Sequence, residues 1–134
     1  MNIPTDLKIL KAIYSDYYAD FCEYNSKAAP RETKIYVPID CKKIAESLSV
    51  DVDIIFGRLY YHLEYKYGYK RDDGSSVHLF VRKIGSDFDC INFPLMSSVL
   101  ANLLMEKRKF WTATTISVLS LLVSLISISI SFFM

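Results

Sequence analysis

Hydrophobic positions divide this chain into two parts with different patterns. In residues 1–109 apolar side chains are interleaved with charged ones, whereas residues 110–134 contain no charged residue. At a rise of about 1.5 Å per residue, a helix made of these last 25 residues is about 37 Å long, which is enough to cross a hydrocarbon core of about 30 Å with some tilt. The pattern therefore predicts a folded domain followed by a transmembrane helix.

Three helices are predicted in residues 1–93 from apolar residues that recur every three or four positions. Thr5 and Asp40 have side chains suited to cap the first two helices. We expect the third helix to end near residue 64. The apolar positions that define the three faces are Leu7, Leu10, Tyr14, Tyr17 and Phe21, then Ile44, Ala45 and Leu48, then Ile55, Leu59 and Leu63.

Strand signals occur between and after these helices. Residues 34–37 alternate polar with apolar side chains and predict a short strand. Residues 65–70 alternate tyrosine with lysine or glycine, and residues 77–84 return after a polar turn, which indicates a β-hairpin. Pro94 then opens an amphipathic juxtamembrane helix over residues 94–109. The predicted fold class is α+β.

The order helix, strand, helix, helix, hairpin resembles a winged helix-turn-helix domain over residues 5–84. In that family the third helix enters the DNA major groove and the hairpin wing touches phosphates. The resemblance therefore implies a nucleic-acid or partner surface on the third helix and the hairpin. The residues on which the resemblance rests are Ile44, Ala45, Leu48, Val50, Ile55, Leu59, Leu63, Gly68 and Tyr69. The residues of the candidate surface are Arg58, Tyr61, His62, Lys70, Arg71, Arg82 and Lys83.

Charges on the third helix weigh against DNA binding. Asp51 and Asp53 stand at its start, where the resemblance implies bases and phosphates, and Asp72 and Asp73 occupy the turn of the hairpin. Phosphate contacts dominate affinity for DNA, so these carboxylates oppose it. Tyr60, Tyr61 and His62 offer a recognition surface for protein as easily as for nucleic acid, and aromatic residues clustered on an exposed helix suit a protein interface. We expect a protein partner, with DNA as the alternative.

Residues that flank the apolar segment predict its orientation. Lys107, Arg108 and Lys109 precede it, and Trp111 lies where an indole favours the membrane interface. The excess of positive charge predicts that residues 1–109 are cytoplasmic. Because the first residues do not have the pattern of a signal peptide, we expect a single-pass, tail-anchored protein of an inner or plasma membrane, with the lipid bilayer as its first partner.

A stripe of small residues follows one face of the apolar segment. Close packing of helices favours such a stripe, and a seam that repeats every seven residues predicts a parallel homo-oligomer. Extended upstream, the same face passes through Phe110, Glu106, Leu103, Val99 and Met96. The small-residue stripe, at steps of four and three, consists of Ala113, Ser117, Ser120, Ser124, Ser127 and Ser131.

Two other interpretations of the stripe stay open. Serine is tolerated in membrane helices when it bonds to the carbonyl four residues earlier, and a single helix could instead dock onto another membrane protein. A dimer would be an anchored pair, whereas a larger ring could line a pore with hydroxyls. The segment is similar in composition to designed leucine–serine peptides that form channels.

Composition excludes several functional classes. Lys and Arg number 16 against 15 Asp and Glu, so the net charge of +1 gives no general attraction to nucleic acid. His62 and His78 are isolated from other ligand or nucleophile types, and Cys22, Cys41 and Cys90 are widely spaced. These residues form no predicted catalytic or metal site. We expect no enzymatic activity and no cofactor.

The expected function is that of a membrane-localised adaptor, or of an effector that perturbs the membrane. Compact anchored proteins with a sensing domain and a polar-striped helix resemble growth-arrest and phage-defence effectors. The alternative is a membrane-tethered DNA-binding transcription regulator, which the helix-turn-helix resemblance and the basic hairpin favour.

Overall fold

A computed structural model describes residues 2–25, 28 and 30–134, and the chain divides into two units, Met1–Leu100 and Ala101–Met134. The first unit combines helices with a small antiparallel sheet, and the second is one long helix. The elements in chain order are α1 (Asp6–Cys22), β1 (Tyr36–Pro38), α2 (Cys41–Leu48), α3 (Val52–Gly57), a π-helical segment (Arg58–Leu63), α4 (Glu64–Tyr67), β2 (Tyr69–Lys70), β3 (Ser76–Val77), β4 (Phe80–Ile84), β5 (Asp87–Asn92) and α5 (Phe93–Phe133).

Helix α1 begins where the sequence predicts, but its buried face is displaced. Thr5 Oγ1 accepts a hydrogen bond from the Lys8 amide at 3.2 Å, which satisfies an amide that the helix leaves free. Leu7 is only partly buried, as are Tyr14 and Phe21. The buried residues are Ile9, Leu10, Ile13 and Tyr17.

The tyrosines of α1 lie at the edge of the core because Phe93 stands beside them. The ring of Phe93 stacks on Tyr14 with centroids 5.5 Å apart, and on Phe21 at 4.8 Å. Such offset aromatic pairs add to the free energy gained by burial alone. The Tyr17 hydroxyl reaches further, to accept the Asp40 amide at 2.7 Å. Asp40 itself caps α2, as predicted.

The sheet has the strand order β1-β5-β4, with both pairs antiparallel. Strand β1 confirms the strand that was predicted near residues 34–37, although it begins two positions later and ends one position later. The predicted hairpin is confirmed at its turn but is shorter than expected. Residues 65–67 are helical, and only Tyr69–Lys70 pairs with Ser76–Val77. The hairpin that joins the sheet is β4–β5, and β5 was not predicted.

The third helix runs past residue 64 to Tyr67, and its π-helical segment aligns its buried positions. Ile55, Leu59 and Leu63 are separated by steps of four, and each is fully buried. In an α-helix of 3.6 residues per turn, each step of four rotates the side chain by about 40°, so the third residue would leave the core face. The wider turn of a π-helix keeps all three on one face.

Helix α5 contributes its first two turns to the core of the first unit. Phe93 and Met96 are buried, and so are Val99 and Leu100. The predicted oligomer seam is therefore wrong at its upstream end, since Met96 and Val99 already pack inside their own domain. The remaining part of the seam begins at Leu103, which is partly buried.

The second unit is apolar and exposed. Helix α5 contains an 18-residue window that is long and apolar enough to cross a membrane, and none of that window is buried. Leu121, Val123 and Ile126 each expose about 60% of their surface: 61%, 62% and 59%. A segment of this composition and length is what a bilayer accepts.

Candidate functional site

An open cleft lies between the second half of the third helix and strand β4. Its volume is about 620 Å³, which is large enough to accept several side chains. Tyr61 and Tyr65 are 74% and 90% exposed at its rim. We call it the tyrosine cleft, and its lining residues are Tyr60, Tyr61, Glu64, Tyr65, His78, Phe80, Val81, Arg82 and Lys83.

Aromatic packing fixes the floor of the tyrosine cleft. The Phe56 ring stacks on Tyr60 with centroids 5.4 Å apart and meets Phe80 edge-on at 5.9 Å. Tyr60 in turn meets Tyr61 edge-on at 4.9 Å. These contacts tie the π-helical segment to β4. π-helical turns occur frequently at functional sites, and Tyr60 and Tyr61 lie on this one, so the surface is treated as the candidate site.

Glu64 joins the two walls of the tyrosine cleft. One carboxylate oxygen lies 3.0 Å from His78 Nδ1, and the other accepts the Phe80 amide at 2.7 Å. Both oxygens of the carboxylate are thus engaged, and hydrogen bonds to an ionised group are the stronger kind. A Cβ atom placed on Gly68 would collide with the Glu64 side chain and would lie 2.7 Å from the Glu64 carbonyl oxygen. Glycine at position 68 therefore leaves room for Glu64.

Arg82 and Lys83 supply the positive charge of the tyrosine cleft. The Arg82 guanidinium lies over the Phe56 ring at 5.3 Å, and Lys83 Nζ lies over Phe88 at 5.5 Å. Both side chains are exposed. Each charged group thus lies over an aromatic ring while its side chain stays exposed to solvent.

Lys70 and Arg71 belong to a neighbouring hollow. Lys70 helps to line a space of about 270 Å³ that shares Glu64, Tyr65 and His78 with the tyrosine cleft. Arg71 lies in the adjoining turn, where its carbonyl accepts the Gly74 amide at 3.0 Å. In the same turn, hydrogen bonds from Ser75 lower the pKa of Asp73. Asp73 therefore stays ionised and offsets part of the positive charge there.

Arg58 and His62 face helix α1 instead of the tyrosine cleft. Arg58 Nη1 lies 2.8 Å from Asp6 Oδ1, and His62 Nε2 lies 3.6 Å from Asp6 Oδ2. The Arg58 side chain is only 21% exposed. The structure thus brings Tyr61, Arg82 and Lys83 together, places Lys70 and Arg71 beside them, and separates Arg58 and His62 from that group.

Several residues of the tyrosine cleft were not predicted from the sequence. Alternating tyrosines at positions 65, 67 and 69 were interpreted as a strand, so Tyr65 was assigned to the wrong element. The helical spacing of Tyr61 and Tyr65, four residues apart, is the signal that could have shown them on one face. The cleft residues absent from the predicted surface are Glu64, Tyr65, His78, Phe80 and Val81.

The buried cysteines are poor nucleophiles. Burial raises the pKa of Cys41 to about 12 and that of Cys90 to about 11. Both thiols are therefore protonated at neutral pH, and the thiolate is the reactive form. In the part of the chain that the structure describes, no three His, Cys, Asp or Glu side chains form a possible metal site. The tyrosine cleft offers aromatic faces, hydrogen-bonding groups and two cations, a combination suited to binding.

Small and polar residues in the second unit lie on an accessible face. Ser117, Ser124 and Ser127 each donate to the carbonyl four residues earlier at 3.0 Å. Ser129, which lies off the stripe, does the same at 3.0 Å. This bond to the helix's own carbonyl therefore does not distinguish stripe from non-stripe positions. A hydroxyl that donates in this way can still accept a hydrogen bond across an interface. All six stripe residues, Ala113, Ser117, Ser120, Ser124, Ser127 and Ser131, are exposed.

The charged residues before the apolar stretch are accessible as well. Lys107, Arg108 and Lys109 are exposed, and Trp111 exposes 59% of its surface. The Trp111 ring meets Phe110 edge-on with centroids 6.2 Å apart. This order of three cations and then two aromatic rings is typical of a membrane–water interface.

No family model, no curated protein and no solved structure matches this chain. Function is therefore inferred from the chemistry and geometry of its residues.

Proposed function

We propose that this chain is a single-pass membrane protein whose N-terminal domain holds a protein partner at the bilayer. The observation that carries the proposal is the apolar window of α5, none of which is buried. Full burial of a leucine or isoleucine side chain is worth about 1.5–3 kcal/mol. A helix with many such exposed side chains is therefore strongly stabilised by transfer into lipid.

The flanking charges support an orientation with the domain in the cytoplasm. Lys107, Arg108 and Lys109 stand on the N-terminal side of the apolar stretch. Basic residues are retained on the cytoplasmic side during insertion. The proposed location is an inner or plasma membrane, with the winged-helix-like domain cytoplasmic.

Three observations favour a protein partner for the domain. The tyrosine cleft is lined by three tyrosines and Phe80, and aromatic side chains are enriched at the centres of protein interfaces. Asp51 and Asp53 are exposed at the start of the third helix, where they would repel phosphates. Arg58, a candidate DNA contact by the winged-helix resemblance, is bound to Asp6.

The small-residue stripe supports association of the membrane helix with copies of itself. Its members expose their small side chains along the part of α5 that the bilayer would surround. Small residues allow helix backbones to approach closely, and hydroxyls can bond across the contact. In this proposal the protein is an oligomeric adaptor. If its membrane helices form a ring that encloses water, it is an effector of the growth-arrest or phage-defence type.

A four-serine variant tests the oligomer. Ser117, Ser120, Ser124 and Ser127 are replaced with leucine in the full chain, and oligomers are measured by cross-linking in native membranes together with membrane potential and growth. We expect the oligomers to disappear, because leucine keeps the helices apart, and any depolarisation to disappear with them. The matched control replaces four off-stripe hydroxyls, Thr112, Thr114, Thr115 and Ser129, with leucine.

The outcomes separate the parts of the proposal. Equal oligomers in both variants would exclude the stripe as the interface. Loss of oligomers without any change in membrane potential would identify a tether, whereas depolarisation by the wild-type chain alone would identify an effector. Release of the full chain from membranes by alkaline carbonate would exclude a membrane-spanning helix and with it the whole proposal.

The second candidate is a membrane-tethered DNA-binding regulator. It is favoured by four exposed cations in the two hairpins, Lys70, Arg71, Arg82 and Lys83. It predicts that the full chain in detergent binds duplex DNA with an affinity that falls steeply as salt rises. Absence of duplex binding at low salt would remove this candidate.

A further inference from the structure

Strand β4 has an open edge beside the tyrosine cleft. In the order β1-β5-β4 it is the outer strand, and among the described residues no strand pairs with its other side. The Phe80 amide points to that side, because it donates to Glu64 instead of to β5. Backbone direction alternates along a strand, so the amide and carbonyl of Arg82 point to the same side. An exposed edge of this kind is a template for another strand.

The third helix lines the side of the tyrosine cleft that faces this edge. Tyr60, Tyr61 and Tyr65 stand opposite β4 across the tyrosine cleft. A strand added at the edge would direct alternate side chains toward these rings and toward solvent. Glu64 already occupies one hydrogen-bonding position on the edge, at Phe80, so the free stretch of edge lies from Arg82 onward.

The charges at this edge select the occupant. Arg82 and Lys83 are exposed, and the ion pairs found among the described residues involve neither of them. Arg82 is close enough to Asp89 to lower the pKa of that carboxyl, although burial of Asp89 outweighs this and raises it. Inside the cleft, the carboxylate oxygens of Glu64 already make hydrogen-bond contacts with His78 and with the Phe80 amide. Accessible charge at the edge is therefore positive.

We propose that the tyrosine cleft and the open edge of β4 bind an extended, acidic segment of a partner protein, which pairs with β4 as an additional strand. Its backbone bonds to the edge at Arg82, its carboxylates meet Arg82 and Lys83, and its apolar side chains enter between the tyrosines. Edge addition is a recognised mode of peptide binding in which backbone bonds give affinity and pockets give specificity. This inference deepens the proposed function, because it names the chemistry of the partner that the anchored domain would hold.

A peptide fits these observations better than nucleic acid does. A strand edge offers a ladder of amides and carbonyls that a polypeptide can pair with, whereas phosphates would meet Asp51 and Asp53 at one end of the third helix and Asp72 and Asp73 in the β2–β3 turn. Phosphate contacts dominate nucleic-acid affinity. These aspartates would repel an acidic peptide only if the peptide extended beyond the cleft.

Selection from a random-peptide library tests the proposal. The full chain, in nanodiscs of zwitterionic lipid, is presented with displayed random dodecapeptides after depletion on empty nanodiscs. We expect the enriched peptides to carry more Asp and Glu than Lys and Arg, with apolar residues at alternate positions. Enrichment without an acidic excess would overturn the proposal, and so would the absence of any enrichment over empty nanodiscs.

Charge exchange provides the sharper measurement. For a synthetic copy of the most enriched peptide, Arg82→Glu with Lys83→Glu should weaken binding at least about tenfold, equivalent to about 1.4 kcal/mol. The control variant, Lys8→Glu with Lys11→Glu, makes the same charge change on the exposed face of α1 and should bind like wild type. A peptide with lysine in place of its acidic residues should bind the Arg82→Glu, Lys83→Glu variant better than wild type, which an unfolded variant could not do.

Three results would overturn the proposal. The first is equal peptide affinity of the two charge variants, and the second is full affinity of a peptide with proline at alternate positions, which cannot donate to the edge. The third is binding of a short DNA duplex or single strand in place of the peptide, with the same sensitivity to Arg82→Glu and Lys83→Glu. Carbonate extraction of the same samples tests the proposed membrane function separately from peptide binding. If the chain binds the peptide but does not insert into the membrane, only the membrane function is excluded. If the chain inserts but does not bind the peptide, only this inference is excluded.

Discussion

Helix α5 contains two stretches with similar apolar content and opposite environments. In residues 93–100 four side chains are buried in the core of the first unit. In residues 104–133 the equally apolar side chains are exposed. Met96 exposes none of its surface and Met105 exposes 49%, although both are methionines of the same helix. Burial is therefore decided by what stands opposite a side chain, and an apolar pattern alone does not reveal its partner.

This difference assigns separate roles to the two stretches. The first is held by contacts that the domain itself provides, such as the stack of Phe93 on Phe21 at 4.8 Å. The second has apolar side chains in excess of what the domain covers, from Ile116 to Phe133. In our proposal lipid and other copies of the helix cover them. Substitutions in one stretch should accordingly change stability, and substitutions in the other should change location.

Two arginines in the exposed stretch should have the largest effect. Val118→Arg with Leu122→Arg places two charges in the middle of the apolar segment, and each costs about 2.5–3.5 kcal/mol at the centre of a membrane helix. We expect the protein to move from the carbonate-resistant membrane fraction to the soluble or aggregated fraction. The control is Ile3→Arg with Ile54→Arg, two exposed isoleucines of the domain. Retention of the first variant in the membrane would show that the two stretches do not differ in the proposed way.

Substitution of one methionine in each stretch should change the free energy of unfolding by different amounts. Met96→Ala removes a fully buried side chain, and such truncations cost about 2–5 kcal/mol because they lose burial and leave a cavity. Met105→Ala, at a half-exposed position of the same helix, should change the free energy of unfolding by less than about 0.5 kcal/mol. Chemical denaturation of the full chain in detergent measures both. Equal destabilisation by the two substitutions would contradict the comparison.

A pair of glycine substitutions extends the test to Glu64, which joins the two walls of the tyrosine cleft. Gly68→Ala should destabilise the domain by about 1–3 kcal/mol, because the new methyl group displaces Glu64 and leaves the Phe80 amide without its acceptor. Gly57→Ala meets only Tyr61 Cδ2 at 3.7 Å, and should be neutral or stabilising by up to about 1 kcal/mol, since alanine is the better helix former. Denaturation measures both variants. The membrane fraction of neither should change, and a change would link the cleft to the anchor.

The smallest effect should come from Asp89, and it depends on pH. Burial raises the pKa of Asp89, so the folded chain binds this proton more tightly than the unfolded chain. Wild-type stability therefore falls as pH rises from the unfolded pKa of about 3.9 to the raised folded value. Asp89→Asn removes the charge, and asparagine tolerates the positive φ of 52° at this position. We expect a gain of less than about 1 kcal/mol at neutral pH that vanishes below about pH 4, and a gain of equal size at both pH values would contradict burial of the charge as its cause.

Local signals predicted part of the fold correctly. Thr5 and Asp40 cap the helices that follow them, because capping depends on residues only two or three positions apart. The length of the apolar segment was also predictable, since it depends on composition. Strand β5 was missed because Asp87 and Asp89 interrupt its apolar pattern, and its register with β1 and β4 is set by residues far away in the sequence.

The candidate site was predictable only as a set of surface residues. Tyr61, Arg82 and Lys83 were expected at the surface and share the tyrosine cleft. Arg58 belongs to the same helix, but Asp6 attracts it to α1, and nothing near Arg58 in the sequence indicates that contact. The role of Gly68 depends on the close approach of Glu64, which appears only once the helix is known to continue to Tyr67.

The π-helical segment has a consequence for how chains of this kind can vary in length. A π-helical turn accommodates one more residue than an α-helical turn between the same two core positions. A related chain with one residue fewer between Arg58 and Leu63 would keep the core contacts on a plain α-helix. It would also lose one position from the row that presents Tyr60 and Tyr61 to the cleft. In our proposal, deletion of a single codon here would therefore alter the binding surface while the core contacts are kept.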